Sequence, residues 1–326
     1  METMQLRYLS AGAVAACLPP AHERVDLAAS ALTALARGDA EMPPKIGVHP
    51  RPGALLHAMP AWLRTRDLVG MKWIAAFPEN RRRGLAAING LIVLNDADTG
   101  VPTWIVDAGA ITAHRTAAVS GVALRLFAGS DAPVVTIIGA GVQGRSHLDL
   151  LSELLPAAEV RLHDRHPQRA ASLAEEQNAA RGAALVRPAE NVRQAVGGAA
   201  VVITVASLQK GTAFIDPDWL APGALVVAVD FASSIRPAVA LAARVFATDD
   251  RAQFLAYRDA GYFDGYPDPG TTLGELLESG GAQAAATDDR PVLVTHLGVG
   301  LADVIFADAI ARQAERHGAG LELPHE

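Results

Sequence analysis

Cysteine is almost absent: Cys17 stands alone in 326 residues. An internal disulfide framework is therefore excluded, and nothing opposes a reducing compartment. Positive charge is also in short supply. The 28 lysines and arginines against 35 aspartates and glutamates leave a formal net charge of −7. Proteins that hold nucleic acid or an anionic membrane through general electrostatics need the opposite balance, so neither partner is expected. Basic residues that matter should converge locally on a small anion. Long apolar runs are missing too; those around 197–207 and 221–229 are too short and too β-branched to span a bilayer. The N-terminus has Arg7 and a short alanine-rich run, but Glu2 sits where a signal peptide is basic. Ser10 reads better as a helix N-cap, so the protein is expected to be cytoplasmic. No internal repeat or low-complexity block occurs. The histidines are scattered, with no H-E-x-x-H or paired cysteines, and no serine-nucleophile elbow is found, so no metal site is expected.

What is present is globular. Half of the residues are apolar and 19% are charged, and the length suffices for two domains. Up to about Phe127, helical patterns alternate with segments containing Pro, Gly and Arg and with strand-like runs such as "GLIVLND" and "PTWIVD". From Asp131 to about Asp250 the texture becomes strand, helix, strand, helix. The strands "PVVTIIG", "EVRLHD", "AAVVITVA", "ALVVAVD" and "RVFATD" are continuous aliphatic runs, as a parallel sheet covered on both faces requires. Helical stretches such as "HPQRAASLAEEQNAARG" fall between them. After Pro291 come another strand-like run, "VLVTHLG", and an amphipathic helix, "LADVIFADAIARQAERHG". Gly318 is its expected C-cap, and the helix is expected to pack back on the first domain.

The segment "VVTIIGAGVQGRSHLDLL" carries the first chemical signal. Gly139, Gly141 and Gly144 complete a G-x-G-x-x-G that follows an aliphatic strand and opens a helix near Val142. That motif serves a tight turn, close approach to a pyrophosphate, and helix-on-strand packing. Phosphates would lie on the amides at the helix start. Asp164 ends the next strand, where a carboxylate accepts bonds from ribose hydroxyls. This favours NAD over NADP, although Arg165 and Arg169 beside it could serve a 2′-phosphate. The expected cofactor set is Gly139, Gly141, Val142, Gln143, Gly144, Asp164, Arg165, Thr112 and Ser207. His147, just after the turn, reads as packing or capping near the phosphates.

Three further residues invite a chemical reading. "DAGAITAHRTAAVSGVALRLFAG" reads as a helix capped by Thr112 and running to Phe127, which puts Arg115 in the first turn. A cation there opposes the helix dipole by a few tenths to about 1 kcal/mol, so Arg115 either is solvated or binds an anion together with the helix amides. Lys72 lies among Met71, Trp73 and Ile74; it either snorkels or, if enclosed, pairs with a carboxylate or shifts its pKa. Asp230 ends the strand "ALVVAVD". It either opens a turn or points its carboxylate towards the cofactor crevice.

Together these segments resemble the ornithine cyclodeaminase/μ-crystallin family. The resemblance covers nearly the whole chain: "HAMPA" (His57–Ala61), "MKWIAAFPEN" (Met71–Asn80), "LNDADTGVP" (Leu94–Pro102), "ITAHRTAAVSG" (Ile111–Gly121), "IIGAGVQGRSHL", "WLAPGALVVAVD" and "LGVGLAD" (Leu297–Asp303). It implies an α/β fold with a Rossmann dinucleotide-binding domain over 129–299. A discontinuous α+β substrate-binding and dimerisation domain would comprise 1–128 and 300–326, in a homodimer. It further implies that Lys72, Arg115 and Lys45 bind the substrate carboxylate and that Asp230 is the acid/base, with Lys72 and Asp230 the catalytic pair. Members often carry arginine at the position of Lys45, and lysine is not equivalent in a bidentate clamp. "GLAAING", near Ala87, lacks a threonine found in many cyclodeaminases. The frequent "KSxG" appears as "THLG" (Thr295–Gly298), without its lysine.

The family chemistry is hydride transfer between nicotinamide C4 and the α-carbon of an amino or imino acid. A cyclodeaminase must also place an ω-ammonium, which calls for a carboxylate. Between Lys45 and Lys72 the only acid is Asp67, whereas His49, Arg51, His57, Arg81, Arg82, Arg83 and His114 populate that region and its sequel. The balance favours a neutral or acidic side chain. An imino-acid reductase or amino-acid dehydrogenase is expected, with iminosuccinate giving aspartate as one candidate reaction and alanine dehydrogenation and reduction of a cyclic ketimine left open. Ornithine or lysine cyclodeamination and a non-catalytic μ-crystallin-like binding role are the alternatives. NAD is the expected cofactor, with NADP possible.

Overall fold

The computed structural model describes residues 5–128, 132–280 and 288–324. Glu2, and Asp131, where the strand–helix alternation was expected to begin, lie outside the described residues. The chain divides into two compact units, Met1–Arg115 with Gly298–Glu326, and Thr116–Leu297. The division falls inside the helix Gly109–Phe127 rather than at 128/129.

The first unit is built on a largely antiparallel sheet. Its strands run in the order Leu321–Leu323, Leu6–Leu9, Pro102–Asp107, Ile88–Asn95, Leu68–Ala76, Ala54–Leu63 and Ala40–Glu41, with Ile46–Arg51 also paired to Ala54–Leu63. Side chains alternate across such a sheet. In Leu68–Ala76, Leu68, Gly70, Lys72 and Ile74 are buried while Val69, Met71 and Trp73 are not. The helix Gly300–Arg316 packs on the strands Ala54–Leu63, Leu68–Ala76 and Ile88–Asn95 and on the helix Ala21–Arg37. Its residues from Gly300 to Asp308 are all buried. The helix caps at His317, and Gly318 follows at φ +63°, one residue beyond its expected place. Ser10 caps the helix Ala11–Ala16.

The second unit carries an eight-stranded parallel sheet in the order Val186–Pro188, Glu159–His163, Val134–Ile138, Val201–Thr204, Leu225–Ala228, Val292–Thr295, Val245–Thr248 and Thr271–Thr272. The central strands 201–204, 225–228 and 292–295 are buried at every position, which is why their sequences run aliphatic without alternation. Val292–Thr295, the last of this sheet's strands in chain order, slots between two earlier ones. The two short outer strands were not expected; three and two residues are too few to show a period. Among the described residues, no helix is long and apolar enough to cross a membrane.

One sequence expectation is overturned. Thr112 is not an N-cap, because the helix starts at Gly109. Asp107 Oδ1 accepts the Gly109 N–H at 2.8 Å, and the Thr112 N–H already bonds to the Ala108 carbonyl at 2.8 Å. Asp107 supplies the acceptor that the first turn needs. Arg115 therefore sits in the second turn, where the dipole penalty has faded.

Candidate active site

In the first unit, Lys72, Arg115 and Asp303 form a buried cluster with relative exposures of 1%, 5% and 0%. Lys72 Nζ lies 2.6 Å from Asp303 Oδ2, and Arg115 Nε donates to Asp303 Oδ1 at 2.8 Å. Strand periodicity turns Lys72 inward. Asp303 stands in the first turn of Gly300–Arg316, where the helix dipole favours a carboxylate. Gly298, at φ +87°, completes the arrangement: a Cβ there would meet Arg115 Nη1 at 2.5 Å. Only glycine lets the guanidinium lie against this backbone.

The cluster holds two cations and one carboxylate. Burial, followed by the neighbouring Arg115 charge, pulls the Lys72 pKa down to about 7, with Asp303 offsetting part of that fall. For Asp303 burial acts upward, but Arg115 and Lys72 outweigh it and hold the carboxyl below its usual range. Lys45 adds positive charge to the same region, since it depresses both Lys72 and His57. Burial, then Lys45, His49 and Lys72, take His57 down to about 4, so its ring is neutral at pH 7. His114 Nδ1 lies 2.6 Å from Arg24 Nη1. A guanidinium can only donate, so this nitrogen is an acceptor. Arg51, Arg81, Arg82 and Arg83 are exposed.

In the second unit the three glycines of the turn have three different reasons. Gly139 adopts φ +122°, and a Cβ there would meet the Val205 carbonyl oxygen at 2.7 Å. A Cβ on Gly144 would meet the Gly139 carbonyl oxygen at 2.1 Å. Gly141 caps the helix Val142–Leu154 at φ −90°, and a Cβ there would have nothing within 4 Å. Its bareness serves no protein neighbour. The open backbone at a helix start, with Val142 71% exposed beside it, fits the approach of a dinucleotide's pyrophosphate.

Gly139, Asp164, Arg165 and Ser207 line one cavity of about 390 Å³ together with Arg169, Ala206, Ser233 and Ser234. Asp164 Oδ2 accepts the Ala140 N–H at 2.9 Å and Oδ1 accepts the His166 N–H at 2.8 Å. The carboxylate thus braces the glycine turn. Val142, Gln143 and Gly144 belong to the adjoining helix rather than to that lining, and Thr112 is part of the first unit. His147 is fully buried, with Nδ1 2.7 Å from the Gln143 carbonyl oxygen and Nε2 2.8 Å from Ser120 Oγ. Ser120 Oγ lies 2.9 Å from His296 Nε2 as well. His147 therefore ties down the first turn of the helix Val142–Leu154.

Asp230 is not among the residues that line this cavity. It is 1% exposed. Oδ1 accepts the Thr204 hydroxyl at 2.7 Å; Oδ2 accepts the Ser234 hydroxyl at 2.6 Å and the Ala206 N–H at 3.2 Å. Ala206 and Ser234 stand at the cavity wall in its place. Burial without a counter-cation raises the Asp230 pKa to about 6, although these donors pull the other way. Such a group can carry a proton near neutral pH. Phe231, next to it, is held at φ +60°, an uncommon conformation for an aromatic residue.

Asp303, Gly298, Thr204 and Ser234 are site residues that sequence reasoning missed. A signal for the first two existed in the segment "LGVGLAD". Nothing in the sequence marked Thr204 or Ser234 as partners of Asp230.

Comparison with known proteins agrees with this architecture. A nodulation efficiency protein, NfeD, from Rhizobium meliloti is 37% identical over 317 residues, covering 97% of each chain. The solved Δ1-pyrroline-2-carboxylate reductase of Thermococcus litoralis, in complex with NADH and L-proline, superposes with a TM-score of 0.86 at 24% identity. It covers 97% of this chain and 100% of its own. An archaeal alanine dehydrogenase dimer with bound NAD gives a TM-score of 0.86 at 23% identity, over 99% and 100%. At these identities the two structures show a shared fold. The family match itself spans residues 15–316, so the chain belongs to the ornithine cyclodeaminase/mu-crystallin family.

Proposed function

We propose that this chain is a NAD-dependent oxidoreductase acting between a small α-imino acid and the corresponding α-amino acid. The observation that carries this reading is the buried pair Lys72 and Arg115 sharing one carboxylate, Asp303. A buried cation without a full counter-charge is unfavourable, and a substrate α-carboxylate supplies the missing negative charge. Asp303 has an oxygen engaged by each cation, so it is not available for an ω-ammonium. With the positive charge of Lys45 in the same region, this supports a neutral or acidic substrate side chain, iminosuccinate among the candidates.

In this reading the first unit grips the carboxylate, while the second seats the dinucleotide and supplies Asp230. The cofactor, when bound, supplies a hydride at the C4 of its nicotinamide. Reduction of a C=N bond also needs a proton at nitrogen, which protonated Asp230 carries; in the reverse direction its carboxylate takes that proton from the amine. Holding the carboxylate in a fixed place supplies proximity, a contribution of up to roughly 7–11 kcal/mol when alignment is good.

The chain is also proposed to work as a homodimer. The face of the first sheet opposite Lys72 carries Ala58, Trp73 and Leu91 in one cross-strand row and Pro60, Met71, Val93 and Ile105 in the next. Trp73 and Leu91 are each 40% exposed. An apolar sheet face of this kind suits burial against a second copy.

The test is a screen of preformed imines, and of keto acids with ammonia, following NADH absorbance. Consumption of NADH with an α-imino acid, abolished in Asp230→Asn while nucleotide affinity persists, is the expected result. Silence across the panel at high enzyme concentration overturns it. Ammonia release from ornithine or lysine with no net change in NADH assigns the cyclodeaminase reaction instead.

A further inference from the structure

Among the described residues, two positions other than glycine adopt a positive φ, Asp67 at 49° and Phe231 at 60°. A short polar side chain such as that of Asp67 tolerates the left-handed region. An aromatic residue there is strained, and it persists only where its surroundings over-determine it. Phe231 stands directly after Asp230, the carboxylate to which the proposed function gives the proton.

Residues 230–233 form a β-turn, closed by the Ser233 N–H on the Asp230 carbonyl at 3.1 Å, and Phe231 is second in it. Turns with a positive φ at that position are ordinarily built on glycine, asparagine or aspartate. Phe231 is held there by other rings. It is buried; Tyr257 and Tyr262 meet its ring edge to face with centroids 5.0 and 5.7 Å away, and that of Phe263 lies at 5.8 Å. Edge-to-face contacts depend on ring orientation, so Phe231 cannot leave this box without forfeiting them. Just beyond the turn, Ser234 Oγ donates back to Asp230 Oδ2 at 2.6 Å. The Tyr266 hydroxyl donates to the Ile235 carbonyl at 2.5 Å. Tyr266 also faces Asp230, since burial and then the Asp230 charge push its phenol pKa up.

We propose that Phe231 is a positioning residue for Asp230: the aromatic box holds residue 231 left-handed, and that backbone conformation returns the Ser234 hydroxyl to the carboxylate. The proposal rests on Asp230 as the proton carrier and goes beyond it in naming what sets the carboxylate's surroundings. Ring packing offsets the backbone strain, and the strained backbone in turn fixes the hydroxyl donor. The Ser234 bond favours the charged form of Asp230, so its loss makes the carboxyl titrate higher.

The experiment is an NMR titration of the Asp230 carboxyl in the intact protein, labelled with carbon-13 at aspartate. The signal is assigned by its absence from Asp230→Asn, and no turnover is needed. Three variants are compared with the parent. Phe231→Gly loses the ring but enters the left-handed region freely. Phe231→Ala and Phe231→Leu do not, although leucine keeps much of the apolar bulk. The midpoint is expected to stay within about 0.3 pH unit of the parent in Phe231→Gly and to rise by about 1 pH unit in the other two. If packing alone matters, the order reverses: Phe231→Leu stays near the parent and Phe231→Gly is displaced furthest. That order overturns the proposal, as do equal displacements, or none, in all the variants. So does a Gly variant that fails to fold while the Leu variant folds. Should Phe231→Ala not fold, the Gly and Leu pair decides alone. Absence of an Asp230 titration in the parent overturns the proton-carrying role and this proposal together. Silence in the imine screen alongside the expected order of midpoints overturns the proposed reaction and leaves the positioning of Asp230 intact.

Discussion

Asp303 in the first unit and Asp230 in the second are both almost completely removed from solvent, yet they are driven in opposite directions. Asp303 lies against two cations, and its carboxyl is held below the usual range. Asp230 meets hydroxyls and backbone N–H groups among the described residues, and burial raises it to about 6. Burial disfavours the anion at both places; the partners decide the outcome. A carboxylate locked between charges stays ionised and serves to anchor. One held by neutral donors sits near the point where it can gain or lose a proton. Under the proposed function, Asp303 would hold charge still and Asp230 would let it change.

The sharpest way to break this comparison is to remove each carboxylate in turn. Asp303→Asn leaves Lys72 and Arg115 facing each other without a counter-charge, and should destabilise the protein by about 3–5 kcal/mol in urea unfolding. Asp230→Asn removes no ion pair. The hydroxyls of Thr204 and Ser234 can reorient, so a loss of only about 1 kcal/mol is expected, with turnover down by about 100-fold or more. Equal stability losses in the two variants would mean that charge pairing is not what distinguishes them.

The glycines permit a second contrast, of smaller size. Gly144→Ala drives a Cβ into the Gly139 carbonyl oxygen at 2.1 Å and should lower stability by about 1–3 kcal/mol. Gly141→Ala meets no protein atom within 4 Å. Its stability should stay within about 0.5 kcal/mol of the parent while nucleotide affinity, read by calorimetry, falls about tenfold or more. Retained affinity in Gly141→Ala would remove the pyrophosphate from that amide.

The pH dependence of kcat/KM follows from the same pair of groups. Substrate anchoring needs the Lys72 ammonium, which is lost as pH rises through about 7. Imine reduction needs protonated Asp230, which is lost as pH rises through about 6. The reductive rate should therefore fall with rising pH through both values. Amino-acid oxidation needs the Asp230 carboxylate, so it should fall on both sides of a maximum between about 6 and 7. The same profile in both directions would take Asp230 out of proton transfer. The mildest expected effect on the folded chain is that of Trp73→Glu, on the exposed sheet face. It should leave the single chain folded and shift its mass in sedimentation from dimer to monomer; an unchanged dimer would place the interface elsewhere.

Much of the second unit was legible in advance. Its central strands are buried on both faces, so continuous aliphatic runs marked them, and the spacing of Gly139, Gly141 and Gly144 marked the turn. The helix start at Gly109 was misread because Thr112 is a plausible cap in isolation, whereas the Asp107 carboxylate is already in place one turn earlier. The outer strands 186–188 and 271–272 are too short for any period to show. Asp303 was hidden by distance: it lies 188 positions from the Arg115 it neutralises. Asp230 was marked by its place after a strand, but the hydroxyls of Thr204 and Ser234 that bond its oxygens were not.

Local order along the chain, then, determined the parallel sheet, the glycine turn and the identity of the cations, because strand burial and backbone sterics act over a few neighbouring residues. Folding alone decided which carboxylate meets a cation and which meets hydroxyls. Those partners come from segments far apart in the chain, and the electrostatic effect of each depends on a separation of a few ångströms that no local pattern encodes.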